Sequence, residues 1–152
     1  MGVRVQTEDF DVAREIALLR GSDARVGAVA SFIGIVRDQN DAAIVQTLTL
    51  EHYPGMTEKA LAGIVDEARR RWSIYDAVII HRVGQLAPTD QIVLVAVSSA
   101  HRGDAFAACE FIIDYLKTQA PFWKKEQTDE GARWVDARTS DDLAAERWRL
   151  KG

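Results

Sequence analysis

The chain has little of the material that several protein classes require. It contains one cysteine among 152 residues, so it can form neither an internal disulfide nor a cluster of thiolate metal ligands. Its longest stretch without Asp, Glu, Lys, Arg or His is the 11-residue run Val26 to Val36, whereas a membrane-spanning helix needs about 20 apolar residues. We therefore expect no membrane segment. The amino-terminal segment also lacks the apolar core of a secretory signal, and we expect a cytoplasmic protein.

An excess of positive charge is also missing. Lys and Arg number 19 against 23 Asp and Glu, which gives a formal net charge of −4. A protein that binds nucleic acid is usually basic, so we expect no nucleic-acid partner. No nucleophile elbow, P-loop or dinucleotide fingerprint occurs. The histidines at positions 52, 81 and 101 show no close ligand spacing, so no metal site and no bound cofactor are expected.

What the chain does have is the apolar content of a folded globule. Hydrophobic residues make up 47% of it, and its length fits one domain over residues 1–152. The apolar periodicity predicts strands at 3–6, 26–36, 44–52, 76–83, 91–99, 122–128 and 132–137, and helices at 11–20, 57–72, 104–118 and 140–148. Residues 38–41 and 84–90 are predicted as loops. Strands and helices do not alternate strictly, which favours an α+β fold with antiparallel sheets and flanking helices.

Three local signals refine these elements. Gly27 and Gly34 in the first long strand predict a bend or a close approach of the backbone. Thr57, after the turn at Pro54, is a plausible N-cap for the second helix, and Ser140 for the last. Cys109 falls on the apolar face of the third helix and is predicted to lie in the core.

The first candidate site is the segment from Ser98 to Asp104, where a strand ends and a helix begins. Backbone N–H groups and the positive end of the helix dipole point towards such a junction. Arg102 adds a guanidinium suited to phosphate. The alternative is an ordinary helix start with a surface arginine, because most helix starts bind nothing.

The second candidate site is the segment from Tyr115 to Lys125, which contains three lysines and no acid. Pro121 excludes an unbroken helix, so the chain turns and the amines of Lys117 and Lys124 can converge. Alternation along the next strand puts Lys124 and Glu126 on one face and Lys125 on the other. A lysine partly desolvated beside aromatics and other cations can act as a general acid or base. The alternative is a set of solvated surface lysines.

Other cations extend this second candidate site. Arg37 follows the first long strand, and Arg133 and Arg138 lie on or near the last one. Each of these arginines alone is interpreted as a surface charge, but together with the lysines they suggest an anion-binding pocket. His52 lies on the apolar face of its strand and is predicted to be structural.

Four separated segments resemble the catalytic (large) subunit of molybdopterin synthase, in the same order. They are Leu48 to Leu61, Ser99 to Arg102, Asp114 to Lys124 and Arg133 to Arg138. The similarity spans about residues 26–148. It implies a cytoplasmic homodimer with an α/β hammerhead-type fold. It also implies a sulfurtransferase of molybdenum cofactor biosynthesis, which converts cyclic pyranopterin monophosphate into molybdopterin by forming its dithiolene and opening the cyclic phosphate.

The resemblance further implies a protein partner. In this family the sulfur arrives on a ubiquitin-like small subunit whose C-terminal Gly-Gly ends in a thiocarboxylate, and two large and two small chains form a heterotetramer. The present sequence ends in Lys151-Gly152, so we expect it to be the acceptor of that carrier and not the carrier.

The resemblance also implies the site residues. Lys117 and Lys124 match the catalytic lysines. The substrate-binding positions are Ile35, Val36, Arg37, His101, Arg102, Lys117, Lys124, Lys125, Glu126 and Arg138. Because the family's pocket is shared between protomers, His101, Arg102 and Arg138 are expected to come from the dimer mate. One departure affects the loop after Arg37, where Asp41 follows Asn40 and the family often has glycine.

Two other functions remain open at the level of sequence. One is a non-catalytic paralogue that keeps the scaffold and binds a carrier tail or a small phosphate ligand. The other is a hydrolase of cyclic phosphate esters, which a basic pocket would allow, although no pair of water-activating carboxylates is evident.

Overall fold

The computed structural model describes residues 2–135 and 139–149, and within them the α+β prediction is confirmed. The strands are β1 (Gly2–Gln6), β2 (Ala28–Ile35), β3 (Gln39–Asn40), β4 (Ala43–His52), β5 (Asp76–Arg82), β6 (Gly84–Leu86), β7 (Gln91–Ser99), β8 (Phe122–Thr128) and β9 (Gly131–Val135). The helices are α1 (Val12–Arg20), α2 (Met56–Arg71), α3 (Arg102–Gln119) and α4 (Thr139–Glu146).

The strands form two sheets. The first has the order β1-β5-β7-β2, and the second has the order β3-β4-β8-β9 with β6 also paired to β4. All described pairs are antiparallel except β1 with β5, which are parallel. This pair is the one exception among the described pairs to the predicted antiparallel arrangement. Its two strands are far apart in the chain, so the intervening helices supply the crossover that a parallel pair needs.

The main core lies between the first sheet and the helices α2 and α3. Leu61 and Ala68 of α2 and Phe111 and Ile112 of α3 are fully buried there. Helix α1 covers the opposite face of the sheet, where Leu19 packs near the strands β5 and β7. Both faces of these strands are therefore buried, which explains why their sequences are continuous apolar runs instead of alternating ones. Cys109 lies in the main core, as predicted.

Several boundaries differ from the sequence prediction. The predicted loop 38–41 contains β3, and the predicted loop 84–90 contains β6. Both are edge segments of two or three residues, too short to show a periodicity. Ser140 lies inside α4 and not before it, and this helix ends at Glu146. Strand β9 ends at Val135, and the rest of the predicted strand 132–137 lies outside the described residues.

The start of α2 also differs, because Thr57 does not cap it. The helix begins at Met56 after Gly55, whose φ of 85° takes the left-handed conformation available to glycine. The hydroxyl of Thr57 instead accepts from the Tyr53 N–H and donates to the Pro121 carbonyl, at 2.9 and 3.0 Å. Thr57 is fully buried, so its side chain ties the start of α2 to the end of α3.

The two long-strand glycines permit close backbone approaches, as predicted. A Cβ at Gly27 would lie 2.1 Å from the Ala100 carbonyl oxygen, and one at Gly34 would lie 2.8 Å from Val93 Cγ1. Strand β2 also has an irregular register between Gly34 and Ile35. This irregularity falls where the chain leaves the sheet.

None of the helices in the described parts of the chain combines the length and the apolar character needed to cross a bilayer.

The turn between β3 and β4 is a two-residue hairpin built without glycine. Asn40 pairs with Ala43, and the two residues between them, Asp41 and Ala42, have φ values of 51° and 65°. Two left-handed residues in succession are typical of a type I′ turn, which favours asparagine, aspartate or glycine. Alanine has no side-chain hydrogen bond to compensate for this conformation. With aspartate at position 41 the turn is thus still formed, and the left-handed Ala42 is strained.

Replacing Ala42 with glycine should stabilise the protein. The change relieves a left-handed alanine at a cost of roughly 1–2 kcal/mol and adds backbone entropy to the unfolded chain, so we expect a net gain of about 0.5–1 kcal/mol. Chemical denaturation measures it. The control is Ala43→Gly, which alters a buried residue of β4 and should destabilise the protein. A destabilising Ala42→Gly would contradict the strain at this turn.

Candidate active site

A cavity of about 500 Å³ opens beside the carboxyl ends of β2 and α3. Its walls come from the first sheet, the second sheet and the last turn of α3. Six of the residues that sequence reasoning selected line it, namely Ile35, Val36, Arg37, Lys117, Lys124 and Glu126. These positions lie up to 91 residues apart in the chain, so the fold brings distant segments to one place.

The two lysines reach the cavity from either side of a chain reversal. Helix α3 ends at Gln119, and β8 begins at Phe122 directly after Pro121. The buried Thr57 hydroxyl holds the Pro121 carbonyl in place. Lys117 in the last turn of α3 and Lys124 in β8 then both line the cavity. The two lysine side chains thus converge on one cavity, as the break in the helix at Pro121 predicted.

The alternation along β8 separates its charged side chains. Lys124 and Glu126 line the cavity, whereas Lys125 is exposed on the other face. The Lys125 Nζ lies 5.8 Å from the centroid of the exposed Trp134 ring, within cation–π range. The structure therefore does not bring Lys125 into the cavity of its own chain.

The segment from Ile35 to Arg37 forms one rim. The Val36 N–H donates to the Asp90 carbonyl, and the Val36 carbonyl accepts from Thr89, both at 2.9 Å. Val36 is buried, while Ile35 and Arg37 are exposed. The backbone bonds on Val36 thus fix the position from which Arg37 extends at the cavity.

Glu126 is the centre of a buried hydrogen-bond network. Its Oε1 accepts from Asn40 Nδ2 at 2.6 Å, and its Oε2 accepts from Arg133 Nη2 at 3.1 Å and from Arg133 Nε at 3.2 Å. Arg133 Nη2 also donates to the Asn40 carbonyl at 2.9 Å. We call Asn40, Glu126 and Arg133 the Glu126 network. Sequence reasoning missed Asn40, because its contact with Glu126 spans 86 positions and leaves no local pattern.

His81 is a second cavity residue that sequence reasoning missed. It is 4% exposed in β5, and its ring stacks on Phe122 with centroids 3.8 Å apart. Its Nδ1 lies 2.7 Å from the Arg82 carbonyl oxygen, which can only accept, so Nδ1 carries the hydrogen. Burial lowers the pKa of His81 to about 3, and the charges of Lys117 and Lys124 act in the same direction. The signal in the sequence was a histidine directly after the apolar run Ala77 to Ile80.

Two further predicted residues, His101 and Arg102, lie away from this cavity. His101 and Arg102 are exposed at the start of α3, about 22 Å along the helix axis from Lys117. The two candidate sites are therefore separate within one chain. Arg138 lies outside the described residues.

Two other titratable residues are structural. His52 lies partly buried beside Glu58, with 3.9 Å between its Nε2 and the carboxylate. The Cys109 thiol is buried, and burial raises its pKa to about 12. A thiol of that pKa is not a nucleophile at neutral pH.

The chemistry of the cavity favours an anion with an apolar body. Arg37, Lys117 and Lys124 supply positive charge. The lining also holds two carboxylates, Asp141 and Glu126, of which Glu126 is ion-paired to Arg133. Apolar side chains from both sheets and from α3 complete the lining, namely Leu48, Ile92, Val93, Leu116 and Phe122. Guanidinium and ammonium groups bind phosphate oxygens, and an apolar wall suits a ring system. Fold and site thus define an α+β protein with a lysine-lined cavity whose chemistry suits an anion.

The comparisons with known proteins agree on one family. A family model described as MoaE protein matches residues 5–119. The molybdopterin synthase catalytic subunit of Ralstonia nicotianae is 67% identical over 148 residues, which are 97% of this chain and 84% of that protein. The chain belongs to the MoaE family.

Solved structures extend the likeness to three dimensions. The molybdopterin biosynthesis MoaE protein from Burkholderia ambifaria superposes with a TM-score of 0.84 at 58% identity, covering 99% of both chains. The molybdopterin synthase structure from Staphylococcus aureus gives a TM-score of 0.81 at 35% identity, covering 88% of this chain and 96% of that one.

The burial of His81 predicts a pH-dependent stability. In the unfolded chain this histidine takes up a proton near its ordinary pKa of 6.5, whereas in the folded chain it stays neutral to about pH 3. The unfolded state therefore binds more protons between these values. The free energy of unfolding should fall by up to about 1.4 kcal/mol for each pH unit below 6.5, with no contribution from His81 above it. Denaturation at several pH values between 4 and 8 measures the slope.

Variants isolate this contribution from that of the carboxylates. His81→Asn should have a shallower slope below pH 6.5, and His101→Asn, which changes an exposed histidine, should keep the slope of the unmodified protein. Equal slopes for His81→Asn and the unmodified protein would show that His81 is not held neutral.

Proposed function

We propose that this chain is the catalytic subunit of a molybdopterin synthase. It transfers sulfur from the thiocarboxylated C-terminus of a small carrier subunit to cyclic pyranopterin monophosphate and so forms the dithiolene of molybdopterin. The observation that carries the proposal is the pair Lys117 and Lys124, which face one cavity together with Arg37 in a chain of the MoaE family.

The cavity chemistry fits such a substrate. Cyclic pyranopterin monophosphate combines a flat ring system with a phosphate. Arg37 at the rim and the two lysine ammonium groups supply the positive charge that a phosphate requires. The apolar wall around Leu116 and Phe122 suits the rings. Ile35 and Val36 shape the rim beside Arg37.

The sulfur must come from outside this chain. Its one cysteine is buried in the main core, and its thiol has a pKa of about 12. In the proposed reaction the carrier's thiocarboxylate sulfur bonds to a substrate carbon while a carbon–oxygen bond at that carbon breaks. One transfer opens the cyclic phosphate, whose oxygen stays on phosphorus, and the other releases the oxygen as water. Water then cleaves the acyl carbon–sulfur bond. The carrier leaves as a carboxylate, and the sulfur stays on the pterin. Each of the two transfers moves protons, which Lys117 and Lys124 are placed to take up or deliver.

The second candidate site fits a shared pocket. His101 and Arg102 lie too far from Lys117 to act in the same cavity of one chain, so we assign them, with Arg138, to the cavity of the dimer mate. Lys125 is outside its own cavity and is assigned to the neighbourhood of the entering carrier tail. The assembly is then a homodimer of this one-domain chain with a carrier bound at each cavity. We place it in the cytoplasm, where a lone thiol stays reduced.

Reconstitution tests this function. The chain is incubated with thiocarboxylated carrier and cyclic pyranopterin monophosphate, and the product is analysed for the dithiolene pterin. We expect dithiolene formation that depends on the carrier. Binding of the carrier tail without turnover would favour a non-catalytic paralogue, and release of linear phosphate without carrier would favour a cyclic-phosphate hydrolase. Either result would reject the proposal.

Removing one lysine should nearly abolish turnover. Lys117→Ala is expected to lower kcat by at least about 100-fold, because a positioned proton donor or acceptor is lost. The thermal unfolding midpoint should change little, since Lys117 lies on the cavity wall and not in the core. The matched control is Lys59→Ala, which removes an exposed lysine of α2 outside the cavity and should leave kcat unchanged. Turnover by Lys117→Ala at the rate of the unmodified protein would refute its role.

Mixed dimers test whether the pocket is shared. Arg102→Ala and Lys117→Ala should each be inactive as homodimers. After subunit exchange, a mixed dimer has one cavity that keeps both residues if Arg102 acts in the partner's cavity. We therefore expect about a quarter of the unmodified activity after statistical mixing. No recovery, with mixed dimers confirmed by native mass spectrometry, would place both residues in the cavity of one chain.

A further inference from the structure

The Glu126 network connects three strands that border the cavity. Asn40 belongs to β3, Glu126 to β8 and Arg133 to β9. Asn40 and Glu126 are 8% and 6% exposed. In the buried setting, hydrogen bonds to the carboxylate are charge-assisted and stronger than neutral ones. The network is therefore a rigid cross-link and not a chance surface contact.

The cross-link joins the segments that carry two of the cavity's cations. Arg37 lies three positions before Asn40. Lys124 lies two positions before Glu126, on the same face of β8. Fixing Asn40 to Glu126 therefore sets the separation between the backbone that bears Arg37 and the backbone that bears Lys124.

Among the contacts of residues 2–135 and 139–149, few besides this cross-link hold the segment after Arg37. Strand β3 is two residues long, and it is followed by two left-handed residues. Its pairing with β4 is supplemented by one bond from the Val45 N–H to the Asp38 carbonyl, at 2.8 Å. A hairpin this short is marginal by itself. The buried side-chain bond from Asn40 is thus a main contribution to its placement.

The oxygen atoms of Glu126 are already engaged within this network. Oε1 accepts from Asn40, and Oε2 accepts from Arg133 through two nitrogens. This engagement indicates that Glu126 acts through its neighbours.

We propose that Asn40, Glu126 and Arg133 are positioning residues, which hold Arg37 and Lys124 at the spacing that the anionic substrate requires. This inference rests on the proposed function for the identity of the substrate. It replaces direct substrate contact by Glu126 with a structural role, and it adds Asn40 and Arg133 to the residues on which activity depends.

A polarity swap tests the network. Asn40→Asp puts two carboxylates face to face and should displace the hairpin. Adding Glu126→Gln restores the bond between positions 40 and 126 with reversed polarity, because the new amide at 126 donates to the new carboxylate at 40. The bonds from Arg133 keep their direction, because the amide oxygen at 126 still accepts them. The matched control is Gln127→Glu, which adds the same charge on the opposite face of β8.

Two measurements are made on the full-length chain. Amide hydrogen exchange of residues 37–42 measures how firmly the hairpin is held in place, and it does so independently of activity. Steady-state kinetics with carrier and cyclic pyranopterin monophosphate report KM and kcat separately. For Asn40→Asp we expect faster exchange of the hairpin and a KM for the pterin raised by at least about tenfold, with a smaller change in kcat. The double variant should recover most of both losses, and Gln127→Glu should match the unmodified chain.

The outcomes are distinguishable from a failure of the proposed function. If the unmodified chain makes no dithiolene, the function fails, and the exchange data still decide whether the network holds the hairpin. The double variant could regain the slow hydrogen exchange of the unmodified chain while its KM for the pterin stays raised. That result would mean that Glu126 contacts the substrate, and it would overturn the positioning role. Unchanged exchange in Asn40→Asp would overturn the network itself.

Discussion

The site depends on the reversal of the chain at Pro121. Proline ends α3 because it lacks an N–H and cannot continue the helix, and β8 starts at the next residue. The buried hydroxyl of Thr57 binds the Pro121 carbonyl, and Phe122 stacks on His81 in the first sheet. These contacts fix the angle between helix and strand. Lys117 and Lys124, seven positions apart, therefore face the same cavity.

The charge around the cavity differs from the net charge of the whole chain. The chain carries a formal charge of −4, yet three cationic side chains line the cavity against two carboxylates, Asp141 and Glu126, and Glu126 is ion-paired to Arg133. Burial keeps His81 neutral between the lysines, so it adds no further repulsion to them. A small anion is favoured in such a setting, whereas a polyanionic surface is not.

The sequence predicted those parts of the fold and site that follow from local rules. The convergence of Lys117 and Lys124 followed from Pro121, and the opposite faces of Lys124 and Lys125 followed from strand alternation. The Glu126 network does not follow from local rules, because the pairing of Asn40 with Glu126 depends on how β4 aligns with β8. Thr57 was mistaken for a helix cap because its partner, the Pro121 carbonyl, is 64 positions away. Strands as short as β3 and β6 also carry too few residues for a period to be read.

The central claim is that the lysine-lined cavity binds the phosphate of the substrate at a site completed by a second copy of the chain. A crystal structure of the dimer with cyclic pyranopterin monophosphate tests it most directly. The account predicts that the phosphate lies within hydrogen-bond distance of Arg37 and at least one of Lys117 and Lys124, together with Arg102 of the partner subunit. A substrate bound elsewhere, or held by Arg102 with no lysine near it, would contradict the account.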